Sequence, residues 1–356
     1  MTRLDDWEDQ ARAVLCATPR GRMAWNYYRS GARDEATLRA NRAAFAACDL
    51  VPRILRGVGE PDPSTHLLGE RVALPVVVAP MAFQALAHPE GEAATRRGAS
   101  KAGTLLGLST LSTTAVEDVV AAGTHGTWFQ LYVYRDRGIT AELVARAEAA
   151  GCTALLWTVD APVLGTREAD EAGGFHLPPD LVLRNLAAPG ASVVPSGSGS
   201  GLAAYVRAML DPGLSWADLD WLVARTRLPI LVKGVLHPDD AVEAVNRGAA
   251  GVVVSNHGGR QLDHAIPSLA AVPPIAHALA GLPGAPLVMM DGGIRRGTDV
   301  LKARLAGARA VLVGRPVLWG LAVGGADGVA AVLGQLRDEV TEAMALYGWS
   351  AWPDRA

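Results

Sequence analysis

The sequence predicts an α/β fold in which eight parallel strands and their connecting helices close into a TIM (β/α)8 barrel. Short runs of β-branched residues alternate with amphipathic helical segments, a pattern that favours parallel strands joined by right-handed crossovers. The chain of 356 residues also has room for one such barrel, which needs about 250 residues, and for additional segments. We therefore interpret residues 1–356 as a single domain, with the barrel over 71–350.

The expected elements follow one another along the chain. Helical segments within residues 1–70 are expected to cap the barrel rather than form a second domain. Eight strand-like runs bounded by turn residues then read PVVVAP, TLLGLST, TWFQLYV, ALLWTVD, PILVKG, GVVVSN, PLVMMDGG and RAVLVGRP. Segments with helical periodicity lie between them, and a longer one, DGVAAVLGQLRDEVTEAMALYG, follows the eighth run.

One connection is longer than the others, because about seventy residues separate the fourth run from the fifth. It contains SGSGSG, residues 196–201, and the proline-rich HLPPD before it. Gly/Ser stretches have little fixed structure and bury little apolar surface. Residues 161–215 are therefore expected to form a mobile lid over the barrel mouth; an inert surface insertion is the alternative.

Composition and charge argue against several classes of function. The net charge of -3 provides no basic field for nucleic acid or an anionic membrane. The acidic start is unlike a secretory signal, and the longest apolar stretch, LPVVVAPMAFQALA, is interrupted by prolines and is too short to cross a bilayer. Cys16, Cys48 and Cys152 are widely spaced and show no metal-ligand pattern. These features predict a cytoplasmic protein without a metal site.

Candidate functional residues cluster at the ends of the predicted strands. The carboxyl ends of barrel strands carry the active site in enzymes of this fold, whereas residues chosen for stability would be spread over both ends. The residues at these ends are Gln130, Tyr132, Thr158, Asp160, Lys233, Ser255, His257, Asp291 and Arg315.

The segment SNHGGRQLD, residues 255–263, is the most informative stretch of the chain. Its two glycines allow a sharp turn directly after a strand, which would direct His257 and Arg260 to one pocket. A histidine can accept a proton near neutral pH, and the planar guanidinium of an arginine matches a carboxylate. The pair predicts proton abstraction beside a carboxylate. A histidine in a tight turn with a solvated arginine is the structural alternative.

The seventh and eighth strands end in DGGIRRG and VGRP, each before a helix. Glycine allows backbone N–H groups to approach an anion, and the N-terminus of a helix carries a partial positive charge. Arg295 and Arg315 add two full charges at the corner where barrels often bind phosphate. This corner is therefore expected to hold a phosphate group, with ordinary tight turns as the alternative.

Together with NYYRSGARDE, APMAFQALAHPEGE, FQLYVYRDR, TVDAPVLGTREAD and LPILVKGV, these motifs resemble, in order and over almost the whole chain, the FMN-dependent (S)-2-hydroxy-acid oxidase and dehydrogenase family. Glycolate oxidase and lactate oxidase are members. The resemblance implies FMN as cofactor, oxidation of an L-2-hydroxy acid to a 2-oxo acid, O2 as acceptor with H2O2 as product, and a homotetramer. A dehydrogenase with a protein or quinone acceptor, a non-redox flavin isomerase and a catalytically silent barrel are the alternatives.

The resemblance also implies roles for individual residues in catalysis and substrate binding. His257 resembles the active-site base, Asp160 the carboxylate that stabilises its protonated form, and Tyr132 the tyrosine near the substrate hydroxyl. Residues that resemble those around the substrate carboxylate are Tyr27, Arg167 and Arg260. Leu111 replaces a tryptophan of glycolate oxidase, which implies a larger pocket that favours a longer or aromatic side chain.

The remaining implied positions concern the flavin. Lys233 resembles the lysine beside N1 and O2 of the ring, where its charge stabilises the reduced form, and Ala82 the small residue whose backbone lies against N5. The positions that resemble the family's other ring, ribityl and phosphate contacts are Ser109, Gln130, Thr158, Ser255, Asp291, Gly293, Arg295, Gly314 and Arg315.

Overall fold

A computed structural model describes residues 4–172, 174–186, 193–194 and 200–353. Eight parallel strands form a closed barrel in which the last strand pairs with the first. After the antiparallel hairpin of β1 (Thr65–Leu67) and β2 (Glu70–Val72), the barrel strands are β3 (Val76–Val78), β4 (Leu106–Ser109), β5 (Thr127–Leu131), β6 (Ala154–Thr158), β7 (Ile230–Val235), β8 (Gly251–Val254), β9 (Leu287–Asp291) and β10 (Ala310–Val313). Each of the eight strand-like runs overlaps one barrel strand, so the predicted fold class is confirmed.

The barrel strands are almost entirely apolar because both of their faces are buried. Alternate side chains point into the barrel, where Val77, Leu156 and Val253 belong to one hydrophobic cluster. Their neighbours in the strands, such as Val76, pack in a second cluster that includes the helices. Leu67 of the hairpin belongs to the interior cluster, so β1 and β2 pack against the inside of the barrel.

Helices precede and surround the barrel. Three come first, and the second begins at Pro19, where the side chain of Thr18 accepts a hydrogen bond from the N–H of Gly21 at 3.0 Å. In order the helices are α1 (Leu4–Leu15), α2 (Pro19–Arg29), α3 (Ala36–Ala46), α4 (Gly91–Lys101), α5 (Val116–Ala121), α6 (Arg137–Ala150), α7 (Glu168–Ala172), α8 (Gly201–Met209), α9 (Trp216–Val223), α10 (Pro238–Asn246), α11 (Ser268–Leu279), α12 (Gly297–Ala306) and α13 (Arg315–Tyr347).

The last helix, α13, is the one helix of the described chain that is long and apolar enough to cross a membrane by length and composition. Of its most apolar window, 61% is buried inside the protein. The backbone of Gly324 and Gly325 is not helical, so α13 consists of two helical parts across a kink. The burial of α13 and its kink are typical of a core helix. The helix packs against α4 and α1.

The connection between β6 and β7 contains more ordered structure than its composition indicates. Residues 196–199 of the Gly/Ser stretch lie outside the described residues, but Phe175, Leu202 and Val206 of the same connection are buried. Its end is fixed by Arg137, which donates hydrogen bonds to Asp211 and Asp218, each at 2.6 Å. The described parts therefore pack on the barrel, and the mobility of residues 161–215 stays a prediction.

Candidate active site

The carboxyl ends of the barrel strands open into a cavity of about 1250 Å3, including its mouth. All of the site residues predicted from the sequence line the cavity except Asp160 and Ser255. These two lie behind its wall and form hydrogen bonds to lining residues.

His257 lies just after β8 and is held in one orientation by its neighbours. Its φ of +58° is in the left-handed region, which costs a residue with a side chain about 1–3 kcal/mol. The N–H of His257 donates to Ser255 Oγ at 3.0 Å, and Nδ1 lies 2.8 Å from Asp160 Oδ1. Nδ1 is therefore engaged with Asp160, and Nε2 is the ring nitrogen left for the cavity.

Asp160 follows β6, and its side chain is 11% exposed. Burial raises its pKa most strongly, but the charges of His257 and Lys233 oppose this effect, and the pKa lies below its usual value. The Cα of Gly234 lies so close that a Cβ there would be 2.6 Å from the Cβ of Asp160, so position 234 requires glycine. Asp160 is thus held as an anion that can stabilise a protonated His257.

Two guanidinium groups and an aromatic ring form one side of the cavity. The Cζ atoms of Arg260 and Arg167 lie 4.9 and 5.6 Å from the ring centroid of Tyr27, and Phe175 stacks on the same ring at 4.3 Å. Burial, followed by the like charge of Arg167, lowers the pKa of Arg260 to about 10. The guanidinium remains charged at neutral pH, and this side of the cavity suits an anion.

The C-terminal end of α2 positions two of the arginines. Arg260 Nη1 donates to the carbonyls of Tyr27 at 2.7 Å and Ser30 at 2.8 Å, and Arg315 Nε donates to the carbonyl of Tyr28 at 3.0 Å. These carbonyls have no partners within the helix and carry its partial negative charge. A helix outside the barrel therefore fixes both the substrate side and the phosphate corner.

Unpaired polar groups lie where the flavin ring is expected. The Nε2 of Gln130 and the Oγ1 of Thr158 are buried without a hydrogen-bond partner, although both residues line the cavity. Lys233 Nζ lies 3.0 Å from both Ser255 Oγ and Asp291 Oδ2. Burial lowers the pKa of Lys233, but the carboxylates of Asp291 and Asp160 raise it above its usual value. A permanent cation beside unsatisfied polar groups fits the polar edge of a flavin.

The phosphate corner carries uncompensated positive charge. Burial and the charges of Arg260 and Arg295 lower the pKa of Arg315 to about 9, and Arg295 Nε is buried without a hydrogen-bond partner. Gly293 has a φ of +87°, and a Cβ there would be 2.3 Å from the carbonyl oxygen of Asn41. A dianionic phosphate would satisfy these groups, so the residues present fit FMN.

Several lining residues are absent from the sequence-based assignment. Leu202, Val206 and Leu210 line the cavity from α8 and the residue after it. Their spacing of four places them on one face of a helix, and this periodicity was the available signal. Tyr28 also lines the cavity, and its hydroxyl donates to the carbonyl of Phe83 at 2.6 Å. No sequence pattern indicates that bond.

Glu92 is a further residue that the sequence does not single out. Its buried carboxylate accepts hydrogen bonds from the N–H of Gln84 and of Thr113, each at 3.0 Å, and from the hydroxyls of Thr113 and Thr114, each at 2.8 Å. These bonds tie the loop after β3, which carries Ala82, to the loop after β4. Glu92 therefore fixes the spacing of two loops that line the cavity.

The barrel, the histidine–carboxylate pair, the arginines and the phosphate corner define a flavin-dependent (β/α)8 oxidoreductase. The family model of FMN-dependent dehydrogenases matches residues 17–354, and the chain belongs to this family. FMN is its cofactor. The predicted family and cofactor are thereby confirmed.

The chain is similar to named relatives over nearly its whole length. An L-lactate oxidase of Nostoc sp. is 52% identical over 345 residues, which is 96% of this chain and 94% of the relative. The human 2-hydroxyacid oxidase 1 is 46% identical over 349 residues, 97% of this chain and 92% of the relative. The crystal structure of mandelate oxidase with (S)-4-hydroxymandelic acid superposes with a TM-score of 0.93 at 42% identity, covering 99% of this chain and 96% of that one.

Proposed function

We propose that the protein oxidises an L-2-hydroxy acid to the 2-oxo acid and transfers the two electrons to O2, which forms H2O2. The observation that carries the proposal is that the His257–Asp160 pair and the guanidinium groups of Arg167 and Arg260 line or support one cavity. A base beside an anion site is what removal of a proton next to a carboxylate requires. Relatives named as L-lactate oxidase and 2-hydroxyacid oxidase support this reaction.

Each residue has a defined task in this reaction. Arg167, Arg260 and Tyr27 bind the carboxylate and orient C2 and its hydroxyl towards His257, whose Nε2 accepts the proton that leaves either the carbon or the hydroxyl. Asp160 stabilises the imidazolium that results. Burial, followed by the charge of Asp160, raises the pKa of Tyr132, so its hydroxyl stays neutral and can hydrogen bond to the substrate hydroxyl.

FMN, when bound, accepts the two electrons that leave the substrate. Gln130 Nε2 and Thr158 Oγ1 are the unpaired groups that would be available to its ring, and Lys233 would supply a positive charge to it. Arg295 and Arg315 would hold the phosphate. Ala82, Ser109, Gly293 and Gly314 line the same cavity, and Ser255 and Asp291 hold Lys233 in place.

Flavin colour tests the reaction class. Purified protein should be yellow, and a 2-hydroxy acid added without oxygen should bleach it, whereas a non-redox isomerase or a silent barrel would not be bleached. Subsequent admission of air separates the two redox alternatives. Rapid return of the colour with release of H2O2 supports an oxidase, and a reduced flavin that persists in air would point to a dehydrogenase with a protein or quinone acceptor.

The apolar side of the cavity favours a substrate larger than glycolate. Leu111 and Leu164 face the same space as Leu202 and Val206 of α8, and aliphatic walls suit an aliphatic or aromatic side chain. The structural neighbour with (S)-4-hydroxymandelic acid supports the same direction. Comparison of kcat/KM for glycolate, lactate, mandelate and a medium-chain 2-hydroxy acid tests it, and a strong preference for glycolate would contradict it.

We also propose a cytoplasmic homotetramer built from one domain, in which residues 161–215 act as a lid. The widely spaced cysteines support a reducing compartment, and the resemblance to the family supports the tetramer. Light scattering of the purified protein measures the mass of the assembly. Protease cleavage within 161–215 that slows when a 2-oxo acid is added would support the lid.

A further inference from the structure

Asn41 of α3 holds the turn that carries His257 from outside the barrel. Its side chain forms a reciprocal pair with Asn256, in which Nδ2 of Asn41 donates to Oδ1 of Asn256 at 2.9 Å and Nδ2 of Asn256 donates to Oδ1 of Asn41 at 2.8 Å. The two residues are 2% and 4% exposed. Asn256 directly precedes His257, so the pair lies one residue from the base.

Two backbone N–H groups fix the orientation of both amides. The N–H of Ser268 donates to Oδ1 of Asn41 at 3.2 Å, and the N–H of Gly259 donates to Oδ1 of Asn256 at 3.1 Å. A backbone N–H can only donate, so the amide oxygens must face these groups and the amide nitrogens must face the partner amide. Nδ2 of Asn256 also donates to the carbonyl of Ile266 at 3.1 Å. Both polar atoms of the Asn256 side chain are therefore paired.

The turn after β8 needs such support because its backbone is left-handed at three consecutive residues. The φ values are +58° at His257, +64° at Gly258 and +75° at Gly259. Glycine adopts this geometry freely, whereas histidine does not. The N–H of Gly259 closes the turn by donating to both the carbonyl and Oδ1 of Asn256, each at 3.1 Å. Because Asn41 binds the same Oδ1, it acts directly on the turn that orients His257.

Asn41 also packs against the loop of the phosphate corner. A Cβ at Gly293 would be 2.3 Å from the carbonyl oxygen of Asn41, and a Cβ at Gly292 would be 3.1 Å from its Nδ2. Asn41 therefore lies between the turn after β8 and the loop after β9. One residue of α3 sets the spacing between the base and the loop that would hold the flavin phosphate.

We propose that Asn41 is a positioning residue, which holds Asn256 and the left-handed turn so that Nε2 of His257 faces the substrate while Nδ1 stays on Asp160. The inference rests on the proposed function, because His257 is the base of that reaction. Asn41 does not line the cavity. Its loss should therefore slow flavin reduction without weakening the binding of a ligand.

The first experiment compares Asn41→Ala with wild type in the FMN-loaded form. Anaerobic flavin reduction, by whichever of glycolate, lactate and mandelate reduces wild type fastest, should slow about 10- to 100-fold, because a displacement of about 1 Å can slow a reaction about 10²-fold. The affinity for pyruvate, read from the flavin spectrum, should stay near that of wild type, because Arg260 keeps its bonds to the carbonyls of Tyr27 and Ser30.

Thr37→Val is the matched control on the same helix. It removes a buried hydroxyl one helical turn before Asn41, which donates to the carbonyl of Ala265 at 3.4 Å, and it should be reduced at the wild-type rate. Three results would overturn the proposal: a wild-type rate in Asn41→Ala, a loss of pyruvate affinity equal to its loss of rate, or an equal slowing in Thr37→Val.

Hydrogen exchange followed by mass spectrometry tests the turn without turnover. In FMN-loaded Asn41→Ala, the peptide that contains residues 255–263 should exchange faster than in wild type, while the peptide over residues 154–160 should be unchanged. Unchanged exchange over 255–263 contradicts the proposal. This result does not depend on the reaction, so failure of the proposed function is distinguishable: it appears as wild-type flavin that no 2-hydroxy acid reduces.

Asn41→Asp gives a signature that a general loss of packing would not give, and it keeps the proposal testable if Asn41→Ala accumulates poorly. Nδ2 is replaced by a carboxylate oxygen that faces Oδ1 of Asn256, and two acceptors repel each other. A protonated carboxyl would donate there and restore the pair, and burial raises the pKa of such a group. The rate of flavin reduction in this variant, relative to wild type, should therefore rise as the pH falls from about 9 to 6.

The ratio of the two rates isolates the carboxyl at position 41. The charged groups on the elements around α3 and the turn are common to both proteins: His257, Arg315, Asp263, Lys302, Arg42 and Asp5. Their effects on the rate are shared by wild type and variant. A ratio that stays constant, or that falls as the pH falls, overturns the proposal.

Discussion

Asp160 Oδ1 lies 2.8 Å from His257 Nδ1, with the carboxylate buried behind the ring and the ring at the wall of the cavity. The carboxylate follows β6 and the histidine follows β8, so the pair forms only when the barrel brings these strand ends together. The arrangement fixes which nitrogen faces the substrate. The negative charge of Asp160 also lowers the free energy of the protonated His257 ring, which little water can solvate in this site.

Substitution of His257 should separate flavin binding from flavin reduction. His257→Gln should retain bound FMN, but its reduction by substrate should slow by about 10² to 10⁴, the usual effect of removing a positioned base. Stopped-flow measurement of anaerobic flavin reduction gives the rate. His264→Gln is the matched control, because His264 also has a positive φ but is exposed and does not line the cavity. Rapid reduction in His257→Gln would contradict the assigned role.

Asp160→Asn should slow the reduction of the flavin by substrate. It should also lower the free energy of unfolding, by an amount that depends on pH. Because the pKa of Asp160 is lower in the folded protein, its charge stabilises the fold above the ordinary carboxyl pKa of about 3.9. That contribution is lost as the pH falls through the folded-state pKa. The difference in free energy of unfolding between wild type and variant should therefore be constant above about pH 5 and shrink below about pH 4.

Denaturant titrations of the FMN-loaded protein from pH 3 to 8 measure this difference. Asp49→Asn removes a carboxylate at an exposed position, and its free energy of unfolding should not differ from that of wild type in this pH-dependent way. A difference that grows as the pH falls would mean that burial, rather than the charges of His257 and Lys233, determines the pKa of Asp160.

The barrel was predictable from sequence because each of its strands is a short apolar run with both faces buried, as in β3 and β8. The site followed because His257, Lys233 and Asp291 lie at or next to the carboxyl ends of such runs. The apolar run that predicts each strand also places the polar residue at its end on the face of the barrel that carries the cavity, so one sequence pattern predicts both the fold and the site.

The walls of the cavity were less predictable, because they depend on packing between distant segments. The bond from Ser30 to Asp170 joins residues 140 positions apart, and neither residue lies at a strand end. Leu202 and Val206 lie one turn apart on one face of α8, but the Gly/Ser stretch before that helix leads the sequence to predict a mobile lid over residues 161–215. Composition of a neighbouring segment is weaker information than spacing within the helix itself.

Removal of FMN should destabilise the protein, because the arginines at the phosphate corner then lack an anion. Without phosphate, the charges of Arg295 and Arg315 repel each other in a partly buried site, so the Tm of the apoprotein should be several degrees lower. A ligand present at about a thousand times its Kd raises the free energy of unfolding by about 4 kcal/mol. Inorganic phosphate alone should restore part of the difference in a thermal unfolding experiment, whereas chloride at equal ionic strength should not.

The phosphate effect should depend on Arg315. Arg315→Met apoprotein should lose most of its response to phosphate, and Arg337→Met, which alters an exposed pair with Asp338, should keep it. Equal stabilisation of both variants by phosphate would place the anion site elsewhere on the protein.

Substitution of Leu111 should change the size of the accepted side chain. Leu111 is 4% exposed and fixed by its backbone, whose carbonyl accepts from Phe83 N–H at 3.1 Å, so a larger side chain there must extend into the cavity. Leu111→Trp should lower kcat/KM for mandelate by at least about tenfold, since overpacking costs about 1–3 kcal/mol, and should affect glycolate far less.

Val206→Ala, on the α8 wall, removes bulk instead and should shift the preference towards the larger acid. Steady-state assays with both acids measure the ratio, and a parallel loss for both in Leu111→Trp would show that position 111 supports the loop rather than selects the substrate.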